Sequence, residues 1–535
     1  MTASYRVLVA DAIAPDGLTP LREDTRFELV TKAGLSGDAL ASAMTDVDAV
    51  LVRSATRITR ESLSKTERLK VIGRAGVGVD TIDVDAATEK GIAVLTAPSG
   101  NTISACELTF ALLLALVRRV PAADRSMHDG AWDRKSFGGV ELYGKTIGLI
   151  GAGRIGGEVA KRARAFGMRV LVFDPYLTDE RARVLEAQLT TLDDVLSRAD
   201  VISLHVPLTE ATQGLIGRDR LARMKRGALV VNAARGGVID EAALVEALRE
   251  KRIGGAALDV FEHEPLPKDH PLRSLDNVVL TPHLGASTEE AQQNVALEIA
   301  EAVRAALADG DFSRAVNAPA IGSEEMRRLR PLLELAERLG RLASTLLDGA
   351  PETADVRYAG GAGEEALRPL AASALVGLLS PIVGRNNVNF VNASHLAKAR
   401  GLDVRRTRLG PHSAFAEFLE LELRTATRGR AVRVAGALLG GGHPRIVRIG
   451  EYHIDVVPEG TLVILRNRDV PGVIGRVGTL LGNAGINIGE YHQARLEAGG
   501  EAIAAISVDG RLDAEVVARL RALPEVIDAR QAQLE

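Results

Sequence analysis

A chain of 535 residues has room for about three or four domains at roughly 100–200 residues each. Its 46% hydrophobic and 25% charged residues are ordinary for a soluble globular protein, and a net charge of −4 gives no reason to expect nucleic acid or an anionic membrane surface as partner. The single cysteine, Cys106, excludes an intrachain disulfide and any cysteine-rich metal site, and its apolar helical surroundings read as those of a buried structural thiol.

The N-terminus, MTASYRVLVA, enters a strand almost at once and has no signal-peptide layout, so a cytoplasmic enzyme is the expectation. Tyr5 to Ala10, Ala49 to Arg53, Lys70 to Arg74 and Ile92 to Thr96 are short β-rich runs separated by helical or turn segments. That alternation predicts a parallel-sheet α/β domain in the first hundred residues. Asn101 to Arg119 reads as a long helix leading out of it. Ser104 to Val120, which overlaps that stretch, contains Glu107 and two arginines near its end, which suits a buried helix rather than a membrane span.

Thr146 to Tyr176 then spells strand, glycine turn, helix, strand and an acidic residue. In GAGRIG, Gly151 permits the tight turn, Gly153 lets backbone approach a pyrophosphate, and Gly156 lets helix pack on strand. The helix start offers unpaired N–H groups and a positive dipole end to the phosphates. Asp174, closing the strand Arg169 to Phe173, can hydrogen-bond a ribose diol and would repel a 2′-phosphate, which favours NAD over NADP. A glycine turn alone is weak evidence; the complete βαβ unit with its spaced Asp is much stronger.

Further strands are expected at Val201 to Leu204, Ala228 to Asn232, Gly255 to Asp259 and Val278 to Leu280, with helices between them, including Glu241 to Lys251. In a doubly wound sheet ligand chemistry gathers at the carboxyl ends of strands. There lie His205, Asn232 to Gly237, Asp259 to Pro265 and Thr281 to Ser287. Ser287 to Asp309 reads as a long helix returning to the first domain, and Asn317 to Gly322 as a linker. The next portion begins with helix Glu324 to Leu347 and turns strand-like at Phe415 to Thr425 and Ile446 to Val457. From Leu462 onward the order of elements is βαββαβ, the ferredoxin-like arrangement.

Three polar signals carry chemistry. Arg235, in the glycine-flanked turn NAARGGVIDE, can make a bidentate pair with a substrate carboxylate. DVFEHEP holds Asp259, Glu262, His263 and Glu264, and TPHLGAST places His283 just after a strand. A His paired with a carboxylate is an acid–base unit, although a strand-end His is by itself more often structural. Spacing alone does not choose between Glu262 and Glu264 as its partner, nor exclude His263.

GAGRIG, DPY, NAARGG, DVFEHEP and TPHLGAST together resemble the D-isomer-specific 2-hydroxyacid dehydrogenase family. The C-terminal extension makes the chain most similar to that family's long phosphoglycerate dehydrogenases, which carry an intervening domain before an ACT domain. The resemblance implies a substrate-binding, flavodoxin-like domain at 1–98 and 285–316. It implies a Rossmann-type NAD-binding domain at 99–284, an α+β intervening domain at 317–457 and an ACT domain at 458–535. It makes His283 the general acid/base, Glu264 its carboxylate partner and Arg235 the anchor of the substrate's carboxylate and carbonyl. For NAD it implies Gly151, Gly153, Arg154, Ile155, Gly156, Asp174, Val206, Ala233, Asp259 and Gly285, with Asp259 on the nicotinamide side. For substrate it implies Arg53 and Ser54 of VRSAT, backbone at Gly76 of RAGVGVD, and Asn101. Arg134 and Lys135, beside Trp132, resemble a basic pair that reaches a neighbouring subunit's substrate; a solvated surface is an equal reading.

The activity so implied is NAD-dependent oxidation of 3-phosphoglycerate to 3-phosphohydroxypyruvate, the first step toward L-serine, in a homotetramer. RDVPGVIG and NAGINIGEYHQ resemble the loop and strand that bind L-serine as effector, with Asp469 and Asn487 at the amino-acid-binding positions. Asn467 stands where some relatives carry an aromatic. Arg445 and His453 are candidates for a second anion site, with scattered surface charge the better reading. Two alternatives share the core: a glyoxylate or hydroxypyruvate reductase, which usually ends without an ACT domain, and an NAD(H)-sensing corepressor-like protein, which would bind NADH without turnover.

Overall fold

The computed structural model describes residues 5–425 and 431–534. Among the described residues the strands make four sheets. The first contains β1 (Tyr5–Val9), β2 (Phe27–Thr31), β3 (Ala49–Val52), β4 (Val71–Arg74) and β5 (Ala93–Thr96), all parallel, in the order β2-β1-β3-β4-β5. This is the flavodoxin-like order. β3 and β5 are buried along their whole length, which is why they read as unbroken apolar runs. One face is closed by the helix Glu289–Asp309, whose Val295, Ile299 and Val303 pack with Val7, Leu51 and Val71. The first sheet is therefore completed by a segment that returns after the second sheet has been built.

The second sheet contains β6 (Thr146–Ile150), β7 (Arg169–Phe173), β8 (Gln188–Leu189), β9 (Val201–Leu204), β10 (Leu229–Asn232), β11 (Gly255–Leu258) and β12 (Val278–Leu280). Its parallel order is β12-β11-β10-β9-β6-β7-β8, and the winding reverses between β6 and β9. Such a switch point opens a crevice at the carboxyl ends of the strands, the usual place for a dinucleotide. Helix Thr102–Val117 packs against this sheet and buries Cys106 completely; burial pushes the thiol up to about 11, so it is an inert core group.

The third sheet contains β13 (Pro351–Ala359), β14 (Asp403–Arg408), β15 (Glu417–Thr425), β16 (Val432–Leu439), β17 (His443–Ile449) and β18 (Tyr452–Val456), in the order β14-β13-β15-β16-β17-β18. Where the sequence suggests one strand-like run from Ile446 to Val457, the chain makes a hairpin. Gly450, at φ +60°, turns it between β17 and β18. Helices Ser323–Leu346 and Leu367–Val383 cover one face and meet closely at Gly377, where a Cβ would lie 1.8 Å from the Glu337 carbonyl oxygen.

The fourth sheet contains β19 (Thr461–Arg468), β20 (Ile488–Arg495), β21 (Glu501–Val508) and β22 (Val526–Gln533), in the order β20-β21-β19-β22. With helices Val473–Asn483 and Ala514–Arg521 it is a ferredoxin-like βαββαβ unit. Its other face does not end at solvent: Leu462, Ile464, Ile503 and Ala505 join the core built around helix Ser323–Leu346.

Candidate active site

The glycine turn after β6 has the shape a pyrophosphate needs. Gly151 lies at φ +93°, and a Cβ there would fall 2.6 Å from the His205 carbonyl oxygen. At Gly156 a Cβ would fall 2.3 Å from the Gly151 carbonyl oxygen, whereas at Gly153 it would meet open space. Two glycines are thus forced by packing, and the third leaves backbone bare toward the crevice, where helix Arg154–Ala165 begins. Asp174 accepts from the Ala152 backbone N–H (2.8 Å) and the Tyr176 backbone N–H (2.9 Å), which fixes its carboxylate beside the turn. These residues fit a dinucleotide. His205, at the end of β9, accompanies them differently: burial pushes its imidazole down to about 4, and its Nε2 lies 2.9 Å from Ser203 Oγ. It is a neutral structural group, not an acid–base one.

Across the same edge of the sheet the acid–base pair is assembled. His283, at φ +58°, presents Nδ1 2.7 Å from Glu264 Oε2. Glu264 Oε1 accepts from the Phe261 backbone N–H at 3.0 Å. The hydrogen bond that His283 donates to Glu264 is the main reason the His283 pKa lies above its ordinary value; burial and Arg235 oppose it. Burial pushes the Glu264 carboxyl up, but the bonds from His283 and Phe261, with the charge of Arg235, leave it lowered. The partnership is therefore with Glu264. Glu262 turns away: it accepts from the Glu241 backbone N–H (3.1 Å), while Glu241 accepts from the Glu262 backbone N–H (2.6 Å). Glu241 also lies 3.3 Å from His270 Nε2. This reciprocal clasp, not signalled by the sequence, moors the loop that carries Glu264.

Asp259 is fully buried and holds the His283 loop: Oδ1 accepts from Thr281 Oγ1 (2.6 Å) and the Leu284 N–H (2.7 Å), and Oδ2 from the Gly285 N–H (2.9 Å). Gly285 is thereby tied to Asp259. Arg235 follows β10 in a turn braced by Asn232, whose Nδ2 donates to the Arg235 carbonyl at 2.8 Å and whose Oδ1 accepts from the Ala234 N–H at 3.0 Å. Ala233 lies in this turn, and Val206 follows His205 at the end of β9. The next residue, Gly236, admits no side chain, since a Cβ would meet the Phe261 carbonyl oxygen at 1.8 Å. The loops bearing Arg235 and Glu264 are in direct contact there.

From the first sheet, Arg53 and Ser54 follow β3 in a turn capped by Asp11. The nearly buried Asp11 carboxylate accepts from the Arg53 and Thr56 backbone N–H groups and from Thr56 Oγ1 (2.7 Å). Arg53 and Gly76 share a small cleft with Ala286 and Gln292, so the loops after β3 and β4 face the segment after His283. Asn101 is the N-cap residue of helix Thr102–Val117, with Oδ1 buried and unpartnered among the described residues. Arg134, Lys135 and Trp132 stand apart from this cluster on an exposed arm, Trp132 being 79% exposed.

In the C-terminal unit Asp469 is engaged by Arg495 Nη1 (2.8 Å) and the Gly499 N–H (3.3 Å); the bond from Arg495 holds its carboxyl below the usual range. Asn487 donates to Asp509 Oδ2 at 2.9 Å. The two candidate effector residues make no bond to one another among the described residues. Asn467 is completely buried. Arg445 pairs with Asp455 at 3.7 Å, and His453 sits opposite Arg448 in the β17–β18 register.

Comparison with known proteins places this geometry. The chain matches the D-isomer specific 2-hydroxyacid dehydrogenase NAD binding domain over residues 110–285. It matches the D-3-phosphoglycerate dehydrogenase intervening domain over 328–450 and the ACT domain over 461–525. It is 43% identical to D-3-phosphoglycerate dehydrogenase of Methanocaldococcus jannaschii, covering 98% of each chain. It is 41% identical to that of Bacillus subtilis, over 99% of this chain and all of the other. The chain belongs to the D-3-phosphoglycerate dehydrogenase family. Among solved structures, the NAD-dependent formate dehydrogenase of Staphylococcus aureus in complex with NAD is 31% identical, with a TM-score of 0.51, covering 57% of this chain and 96% of its own. As a member of that family the chain is an NAD-dependent D-2-hydroxyacid dehydrogenase, and its C-terminal unit is an ACT domain.

Proposed function

We propose that this enzyme oxidises 3-phospho-D-glycerate to 3-phosphohydroxypyruvate, the first step toward L-serine, and that L-serine restrains it through the ACT domain. The observation that carries the reaction is the Glu264–His283 pair at 2.7 Å, with Arg235 on the loop packed against it. NAD, when bound, supplies the acceptor for the C2 hydride. His283 takes the proton of the C2 hydroxyl through Nε2, because Nδ1 is committed to Glu264. Arg235 binds the substrate carboxylate and polarises the forming carbonyl, and Arg53 adds positive charge on the substrate side. We divide the chain at 1–98 with 285–316 for substrate, 99–284 for NAD, 317–457 for the intervening domain and 458–535 for the ACT domain.

The effector reading extends the ACT assignment to serine, with Asp469 and Asn487 as its contacts. A homotetramer in the cytoplasm completes the reading. The exposed apolar side chains of Val120, Met127, Trp132, Val140 and Tyr143, all on one arm of the nucleotide domain, suit burial against a second copy. A lone buried cysteine suits a reducing compartment.

One assay decides most of this: NADH formation from 3-phosphoglycerate, with and without L-serine. A preference for glyoxylate would point to a reductase instead, and tight NADH binding without turnover to a sensor. Asp469→Ala is expected to relieve serine inhibition and spare activity; loss of both together would assign the residue to folding.

A further inference from the structure

Arg235 is held by more than its own loop. Within the nucleotide domain its guanidinium makes one bond, from Nη1 to the Ala234 carbonyl at 2.6 Å. The other contact crosses the cleft: Nε lies 3.4 Å from Oδ2 of Asp80, a residue of the substrate-side loop that follows β4. The same loop lays its backbone against the guanidinium. At Gly78 a Cβ would fall 2.2 Å from Arg235 Nη2 and 2.6 Å from Asp80 Oδ2, so a side chain there would push the guanidinium and the carboxylate out of their present places.

A second cation lies behind this loop. Arg74, at the end of β4, donates from Nη1 to the Ala75 carbonyl at 2.6 Å, and its buried Nε has no partner among the described residues. Burial, and next the charge of Arg235, pull the Arg74 pKa down to about 10, while Asp80 acts in the opposite sense. Two guanidinia thus approach across the cleft, with the Asp80 carboxylate near both. The Asp80 side chain remains 64% exposed.

We propose that Asp80 is a positioning residue for the dehydrogenase reaction: from the substrate domain it holds the Arg235 guanidinium in the orientation that polarises the substrate's C2 oxygen, and it offsets the repulsion between Arg235 and Arg74. This rests on the role given to Arg235 above. Its consequence is that the geometry of a group on the nucleotide domain depends on where the substrate domain stands. A carbonyl-polarising group matters most as negative charge develops on oxygen, so misplacement acts on turnover more than on substrate capture.

The test compares the full-length enzyme with Asp80→Asn and Asp80→Glu in steady-state oxidation of 3-phosphoglycerate, alongside NADH affinity by fluorescence titration and thermal midpoints. For Asp80→Asn kcat is expected to fall by about 10- to 100-fold, the scale of a small misplacement at a reacting centre. KM is expected to change by less than about threefold, the signature of an interaction made chiefly in the transition state. NADH affinity should stay unchanged, and Asp80→Glu should recover part of kcat. A kcat for Asp80→Asn within about twofold of wild type, or a loss that runs in parallel with NADH affinity and thermal midpoint, overturns the proposal. Should the wild-type enzyme turn over a different 2-hydroxy acid and not 3-phosphoglycerate, the substrate reading falls, and the same comparison on that acid still decides the role of Asp80.

Discussion

Two regions of the molecule are dense in charge, and they use it in opposite ways. On the third sheet, Arg357 reaches Asp355 (2.7 Å), Glu420 (2.9 Å) and Glu422 (3.0 Å), Arg433 reaches Glu422 (3.1 Å), and Arg448 pairs with Glu420. Glu422, only 2% exposed at its side chain, is shared among Arg357, Arg424 and Arg433. Glu420 faces two arginines and Glu422 three, and their charge is consumed within the fold. In the cleft, Arg53, Arg74 and Arg235 gather near Asp11, Asp80 and Glu264, but Asp11 is already committed to a backbone turn and Glu264 to His283. A surplus of cation facing open space marks a place for an anionic ligand. The number of charged residues does not.

The largest effect that separates the two regions is expected at His283. His283→Ala should lower turnover by about 10²–10⁴, the usual contribution of an acid–base group, with the fold unaltered; near-normal rates would remove the assignment. Glu264→Gln is the finer instrument. Oxidation needs His283 unprotonated, and the Glu264 bond raises its pKa, so activity is gained only as pH rises through that elevated value. Without the carboxylate the acidic limb of the kcat/KM profile should move to lower pH while the rate declines. An unmoved limb would mean that another group titrates.

In the arginine–glutamate lattice the effect should be on stability alone. Glu422→Ala leaves three arginines short of a partner and should cost about 2 kcal/mol, below the figure for a fully buried pair because those arginines remain partly exposed. Chemical denaturation of the intact enzyme measures it, and activity per folded molecule should be preserved. Smallest of all should be the exposed Lys65–Asp38 pair at 3.3 Å, where Lys65→Ala should change stability by no more than about 0.5 kcal/mol.

The strands of the nucleotide domain were plain in the sequence because both faces of a parallel sheet are buried: β6 and β9 are apolar at nearly every position. The third sheet was harder to read. One of its faces carries the charged lattice, so β14 (DVRRTR) and β13 show neither a clean apolar run nor a clear hairpin signal. Gly450 was the only local mark of the β17–β18 turn, and one glycine is ambiguous. In the site, the residues assigned here to cofactor and substrate sit in glycine-rich turns at strand ends and could be picked out. Several of those that hold them in place could not. Asp11, Asp80 and Glu241 act through partners 42, 155 and 21 positions away, and no local pattern encodes such pairing.

The helix Glu289–Asp309, which closes a sheet begun at Tyr5, also sets an order in time. On the ribosome β5 emerges about two hundred residues ahead of Val295, Ile299 and Val303; at roughly 5–20 residues per second the lag is about 10–40 s. During that interval the nucleotide domain can complete its own sheet, which ends at Leu280, while Val7, Leu51, Val71 and Leu95 wait with one face uncovered. The sheet that is begun first is thus closed only after the second sheet can be complete, and until then it offers an apolar surface to any chaperone or neighbouring nascent chain within reach.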